Sequence, residues 1–167
     1  MDPLLSGSDV LGNWALNGEV VPGPTVVFDI DGVLADAEGR QHYIAEGRSN
    51  WHAFFEACED DPLIEEVARL LDLLAPELKV VLLTGRPARV QPQTLAWLER
   101  YKLRWDVLIM RDFGDYDAAR DFKRGTVQAL RRLGFNCCLA FEDDLRNREM
   151  FEAEGVPCIY IHSGYYE

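Results

Sequence analysis

The chain is poor in histidine, cysteine and lysine and has no long apolar run, and each shortage rules something out. Its apolar stretches fall well short of the roughly 20 residues that a membrane-spanning helix needs, so no membrane partner is expected. The opening Met1-Asp2-Pro3-Leu4-Leu5 lacks the basic and apolar parts of a signal peptide. A cytoplasmic protein is therefore the expectation. Cys58, Cys137, Cys138 and Cys158 form no Cys-x-x-Cys pair, and His42, His52 and His162 have no ligand spacing. That argues against zinc and disulfides and for buried, reduced thiols, with Cys137-Cys138 inside an apolar run. No Gly-x-x-x-x-Gly-Lys-[Ser/Thr] loop occurs, so no P-loop kinase is expected. Basic charge is short as well: the net charge of -12 opposes a broad, non-specific grip on nucleic acid.

What is present suits one well-filled domain. Of 167 residues, 48% are hydrophobic, far from the disordered regime. Residues 1–23 hold few periodic apolar positions and are read as a non-catalytic arm, with Asn17-Gly18 the signal for a small hairpin. Pro22-Gly23-Pro24 punctuates the chain before residues 24–167, taken as the main domain. There, short β-branched runs alternate with helical stripes. Strands are predicted at Val26–Phe28, Lys79–Leu83, Val107–Met110, Cys138–Phe141 and Cys158–Ile161. Helices are predicted around 51–58, from Pro62 to Leu74, and across 91–102, 119–133 and 146–154. That order predicts an α/β fold, a parallel sheet with helices on both faces and ligands beyond the carboxyl ends of the strands. Trp51 and Phe55 could stack on a base, but packing on the core is the commoner fate of such side chains and is the expectation.

The stretch around which the chain is organised is Val26-Val27-Phe28-Asp29-Ile30-Asp31-Gly32-Val33-Leu34. A buried strand stops at two carboxylates and a glycine. Asp29 and Asp31 sit two apart, so at a strand end both lean to one side. Such acids repel one another unless a cation intervenes, and hard oxygen ligands suit Mg²⁺. An EF-hand loop also starts Asp-x-Asp but needs glycine at its sixth position, whereas here it is fourth. A plain turn with two solvated acids and an aspartyl nucleophile with a neighbouring acid–base group both remain open at this level. Elsewhere, Thr84 with Gly85 and Arg86 closes a strand where a hydroxyl and backbone N–H groups can hold a phosphoryl oxygen. Glu142-Asp143-Asp144 places three adjacent acids at another buried strand end. Lys123, one of three lysines, lies on a predicted helix, where a lysine is ordinarily solvated.

Phe28-Asp29-Ile30-Asp31-Gly32-Val33-Leu34 resembles the first motif of the haloacid dehalogenase (HAD) superfamily, mostly phosphatases that work through an aspartyl-phosphate. The resemblance spans about residues 24–164, with Thr84 in the place of the second motif, Lys123 of the third and Asp143 of the fourth. It implies a HAD-like Rossmannoid fold, with Asp29 as nucleophile and Asp31 as acid and base. It also implies that Thr84, Gly85 and Lys123 surround the phosphoryl group. Mg²⁺ would be held by Asp29, the Asp31 carbonyl and Asp143, with Glu142 behind them, paired with Lys123, and Asp144 further out. Only a loop and a short helix fit between the first two motifs, so the cap is minimal or absent and the site open.

The chain is also similar to the 3′-phosphatase domains of phage polynucleotide kinases. Arg40 follows the acidic loop as it does there, Arg86 follows the second motif, and Arg111 is spaced alike from Lys123. Glu142-Asp143 and Glu149-Met150 align without a gap. The departures are Glu142 in place of Asp and Asp144 in place of Arg. This likeness implies removal of 3′-phosphate from DNA or RNA ends, with Arg40, Arg86 and Arg111 on the phosphate. Two alternatives stand beside it: a phosphatase of nucleotides or other small phosphate esters, and a non-catalytic HAD-fold binding module. The intact Asp29/Asp31 pair speaks against the last. No sequence feature points to an oligomeric state.

Overall fold

The computed structural model describes residues 4–10, 12–112 and 118–166. One sheet carries six strands: β1 (Trp14–Leu16), β2 (Pro24–Phe28), β3 (Lys79–Pro87), β4 (Val107–Arg111), β5 (Asn136–Glu142) and β6 (Cys158–Tyr160). Their spatial order is β1-β4-β3-β2-β5-β6. Neighbours from β4 through β6 run parallel, while β1 pairs antiparallel with β4. The sheet is therefore mixed at one edge, where a wholly parallel sheet was predicted.

The arm supplies that edge strand. Trp14 stands opposite Ile109 and is buried against it, and Asn17 is held by Asp106 and Trp105 carbonyls at 2.9 and 3.0 Å. Leu5 bridges Val20 in antiparallel sense, so the arm folds back on itself as a hairpin reading requires and also joins the sheet. Nothing in its sequence announces this, because three residues of strand carry no periodicity to read.

Alternation along the central strands builds two cores. Val26, Phe28, Val80, Leu82, Leu108 and Met110 face α2 (Glu65–Leu73) and α3 (Gln91–Arg100), packing with Leu71, Trp97 and Leu98. Val27, Val81, Leu83, Val107 and Ile109 face α4 (Ala119–Arg132) and α5 (Leu145–Ala153), packing with Val127, Leu130 and Phe151. A short α1 (Trp51–Glu56) and 3₁₀ turns at Glu38–Tyr43 and Ala57–Asp60 fill the span between β2 and β3. Pro62 precedes α2 rather than opening it, since Leu63 is taken up in a bridge to Ala35. None of the described helices is long and apolar enough to cross a membrane.

The cysteines depart from expectation. Cys58 is buried, Cys137 and Cys158 are half-buried, and Cys138 is exposed. The reason is a bulge: Thr25 pairs with Cys137 and Val26 with Leu139, which leaves Cys138 as the extra residue of β5.

Candidate active site

Register brings the polar strand ends level. Phe28 pairs with Leu82 on one side and Phe141 on the other, and the Phe28 and Phe141 rings stack with centroids 4.6 Å apart. The residues one or two places beyond these partners, Asp29, Thr84 and Glu142-Asp143, therefore share the carboxyl edge. Past Asp29 the chain turns on the Ile30 carbonyl, which accepts from Val33, Leu34 and Ala35 at 2.9–3.1 Å. Gly32 adopts φ 81° in this turn. A Cβ there would lie 2.1 Å from Asp143 Oδ2, so only glycine lets the turn close over the acid.

Two buried charge clusters result. In the first, carboxylate oxygens of Asp29, Glu142 and Asp143 lie within 4.8 Å of one another, with a single ammonium among them. Lys123 Nζ donates to Glu142 Oε2 at 2.8 Å and stands 3.3 Å from Asp29 Oδ1. Lys123 is 2% exposed, so its helix turns it inward, unlike an ordinary solvated lysine. Burial, then the Glu142 carboxylate, pushes the Asp29 carboxyl well above its usual range against the pull of Lys123. Burial and the neighbouring Asp29 raise Asp143 to about 8. Both Asp143 oxygens are buried without a hydrogen-bond partner among the described residues. Orphaned, crowded carboxylate oxygens are the donor set a hard divalent cation takes, so these residues fit Mg²⁺. Glu142 is part of the cluster itself rather than only behind it.

In the second cluster, two acids meet two arginines. Arg40 forks onto Asp61 through Nε and Nη2 at 2.8 and 2.7 Å, and Nη2 also donates to Asp31 Oδ1 at 2.9 Å. Its Nη1 donates to the Phe54 carbonyl, and the guanidinium lies 4.4 Å from the Phe54 ring centroid. Arg86 reaches the same Asp31 oxygen through Nη2 and Nε at 2.7 and 3.1 Å, and Nη1 donates to Thr94. Burial alone would raise Asp31, but the Arg86 and Arg40 guanidiniums outweigh it and hold the carboxyl below its usual range.

This differs from the expectation that Arg40 and Arg86 face the substrate's phosphate. Their side-chain donors reach Asp31, Asp61, Thr94 and the Phe54 carbonyl, because two arginines buried at 3% and 0% exposure require carboxylates nearby. The Asp31 side chain likewise meets both arginines through its Oδ1. Asp61 itself went unread in the sequence, where Glu59-Asp60-Asp61 looks like a solvated acid run. It is buried, and Trp97 Nε1 donates to its carbonyl at 2.8 Å.

Both clusters open into a cavity of about 490 Å³. Asp29, Asp31, Thr84, Gly85, Arg86, Lys123 and Arg111 line it. Thr84 is buried, and its Oγ1 accepts from the Arg86 backbone N–H at 3.1 Å. Arg111 lies 5.8 Å from the Phe122 ring, and its buried Nε has no partner among the described residues. Asp144 caps α5 and accepts from Arg146 three times, through the backbone N–H, Nε and Nη2, at 2.9–3.1 Å. Sequence reading missed Arg146, Asn147, Tyr165 and Tyr166 on this wall; the tail is tied down by Tyr165, whose hydroxyl donates to Asp36 at 3.1 Å.

Comparison with known proteins bears on the fold and the family. Two solved structures of Pnkp1 in complex with Rnl and Hen1, one of them the Pnkp1/Rnl/Hen1 RNA repair complex, superpose with TM-scores of 0.69 and 0.70 at 24% identity. The matches cover 84% and 93% of this chain but only 43% and 50% of those chains, so the chain spans about half their length. A class C acid phosphatase from Bacillus anthracis with tungstate bound shares the fold at TM-score 0.62 and 14% identity, over 88% of this chain and 69% of that one. No curated protein gives a sequence match. The model of the polynucleotide kinase PNKP phosphatase domain matches residues 23–166, nearly the whole chain: the protein belongs to that family of HAD phosphatases.

Proposed function

We propose that the protein is a Mg²⁺-dependent phosphomonoesterase that works through an aspartyl-phosphate on Asp29 and removes 3′-phosphate from nucleic-acid ends. The observation that carries this reading is the acid cluster with orphaned Asp143 oxygens beside a separately held Asp31, both opening into one cavity. Asp29 attacks phosphorus in line, and the P–O bond to the ribose 3′ oxygen breaks. Lys123, the Thr84 hydroxyl and the backbone N–H of Gly85 meet the equatorial oxygens. Asp31 gives its proton to the departing ribose oxygen and then takes one from the water that hydrolyses the aspartyl-phosphate. A Mg²⁺ ion held by Asp29 and Asp143, with the Asp31 carbonyl and Glu142 beside it, would screen the nucleophile's charge from that of the phosphate. Arg40 and Arg86 fix the Asp31 rotamer from behind, leaving Arg111 as the phosphate contact among the three arginines.

The assignment to nucleic-acid ends draws on the family and on the relatives' place in an RNA repair complex. The strongly acidic net charge favours a second reading, a phosphatase of free nucleotides or other small esters. Turnover of 3′- and 5′-phosphorylated oligonucleotides, mononucleotides and a small aryl phosphate, with Mg²⁺ and with chelator, separates them. The first reading requires Mg²⁺-dependent turnover with 3′-phosphorylated oligonucleotides preferred. Equal rates on mononucleotides select the second, and no turnover of any ester rejects both.

A further inference from the structure

Two segments besides the strand ends border the cavity, and one of them is tied to the acid cluster. The first, α1, brings Trp51, which lines the cavity at 51% exposure. That corrects the expectation that it packs on the core, since Phe54 and Phe55 fill that place and leave the indole outside. The second is the tail beyond β6. Its described residues form no helix or strand, so individual contacts set its course.

Those contacts run in series. The Ile161 N–H donates to the Glu142 carbonyl at 2.9 Å, which starts the tail beside the acid cluster. Gly164 then adopts φ 83°, and the chain turns so that the Tyr165 N–H donates back to Ser163 Oγ at 3.3 Å. The half-buried Tyr165 gives its hydroxyl proton to Asp36 Oδ1 at 3.1 Å. Asp36 lies just past the turn that holds Gly32, and its own N–H is fixed on the Pro62 carbonyl at 2.9 Å. The tail is thereby fastened at both ends.

Asp143 lies beneath this strap. A Cβ on Gly32 would stand 2.1 Å from Asp143 Oδ2 and 3.0 Å from Ser163 Cβ, so the acid and the serine press on the same turn. A hydroxyl that accepts from a backbone N–H still has its own proton to give. The Asp143 oxygens have no hydrogen-bond partner among the described residues. The Ser163 hydroxyl is nevertheless close enough to favour the charged carboxylate against burial and Asp29, which raise it. A carboxylate that ligates a metal is ordinarily oriented by such a group behind it.

Resting on the metal reading above, we propose that the tail is a clasp for the Mg²⁺ site, with Tyr165 and Ser163 as positioning residues for Asp143. Tyr165 fastens the tail to the loop that follows the nucleophile. The fastened tail holds the Ser163 hydroxyl against the ligand. Both residues act through Asp143 and not on the reacting atoms.

The test is calorimetric titration of Mg²⁺ into the intact protein and its variants, with thermal melts in chelator beside it. Tyr165→Phe, which loses only the hydroxyl, and Ser163→Ala should each weaken Mg²⁺ binding about tenfold. Asp36→Asn keeps an acceptor for Tyr165 and should stay within about threefold of wild type. Asp36→Ala should match Tyr165→Phe, and the two together should bind no more weakly than either alone, because both break one bond. The metal-free melting temperature of Tyr165→Phe should fall by no more than about 4 °C. Wild-type binding with unmoved affinity in Tyr165→Phe, or losses that add in the double variant, overturns the clasp while leaving the metal reading intact. A metal-free melt lower by about 10 °C would make Tyr165 a packing residue and overturn the clasp as well. A wild type that binds no Mg²⁺ removes the metal reading and the clasp together.

Discussion

Two buried carboxylate clusters lie side by side at the same sheet edge, and their charge balance differs. Asp29, Glu142 and Asp143 share one ammonium, Lys123. Asp31 and Asp61 meet two guanidiniums, Arg40 and Arg86, and every close N–O contact there is 3.4 Å or less. The consequence appears in two acids only two residues apart: Asp29 is pushed well above its usual range and Asp31 held below its own. A balanced buried cluster holds a fixed geometry by itself. An unbalanced one stores repulsion that a bound cation relieves. On the function proposed above, the metal would lie on one side of Asp29 and proton handling on the other.

Replacing the nucleophile breaks the first cluster's chemistry while relaxing its charge. Asp29→Asn should lower turnover by at least about a thousandfold, yet raise the metal-free melting temperature because one crowded acid is gone. Steady-state rates and thermal melts in chelator check both halves; near-normal turnover would remove Asp29 from the mechanism. The second cluster should behave in the opposite way. Arg86→Ala leaves buried Asp31 and Asp61 with one arginine, a loss of about 3–5 kcal/mol for a broken buried pair. That corresponds to a fall in melting temperature of about 10 °C. Turnover should fall about a hundredfold through Asp31, with Mg²⁺ affinity little changed. A melt within about 2 °C of wild type would show that the balance is not what holds this cluster.

The two clusters were not equally legible in the sequence. Asp29, Thr84 and Glu142 each end an apolar run, with Asp31 and Asp143 just beyond, and a run that stops at a polar residue places that residue at a strand end whatever the helices do. The arginines were visible as residues but not as partners. Asp61 closes the second cluster from the end of an acidic run, and only tertiary packing under Trp97 tells it from a solvated acid. Helical Lys123 is a similar case: its face is decided by where α4 settles on the sheet. The edge strand at Trp14–Leu16 and the exposed Cys138 depend on one pairing and one bulge, which a local pattern does not encode. Tyr166 reaches the cavity because the tail folds back to Asp36, a contact across most of the chain, whereas Arg146 is held in the first turn of α5 by Asp144.

Smaller effects sharpen the contrast. Arg111 belongs to neither cluster, and Arg111→Ala should cost about ten- to a hundredfold in kcat/KM, the worth of one charge-assisted contact. A larger loss on a 3′-phosphorylated oligonucleotide than on a small aryl phosphate places it at the nucleotide; equal losses place it at the transferring phosphate. No loss on either would take it out of the site. The depressed Asp31 carboxyl gives a prediction in pH. Its protonated fraction shrinks as pH rises above that lowered value, so the step that protonates the leaving oxygen should slow toward alkaline pH. With saturating Mg²⁺, kcat/KM on a 3′-phosphorylated oligonucleotide should fall between pH 6 and 8, and fall less on an aryl phosphate, whose leaving group needs little protonation. Parallel profiles on the two substrates would separate Asp31 from leaving-group protonation.

The central claim is that the unbalanced cluster, and not the balanced one, takes the cation. Calorimetric titration of Mg²⁺ into the wild type, Asp143→Asn and Asp61→Asn tests it most directly. Both variants remove one buried carboxylate charge, but from different clusters. The account predicts one site in the wild type, at least about tenfold weaker binding in Asp143→Asn, and affinity within about threefold of wild type in Asp61→Asn. Unchanged affinity in Asp143→Asn, or a loss in Asp61→Asn as large, would contradict it.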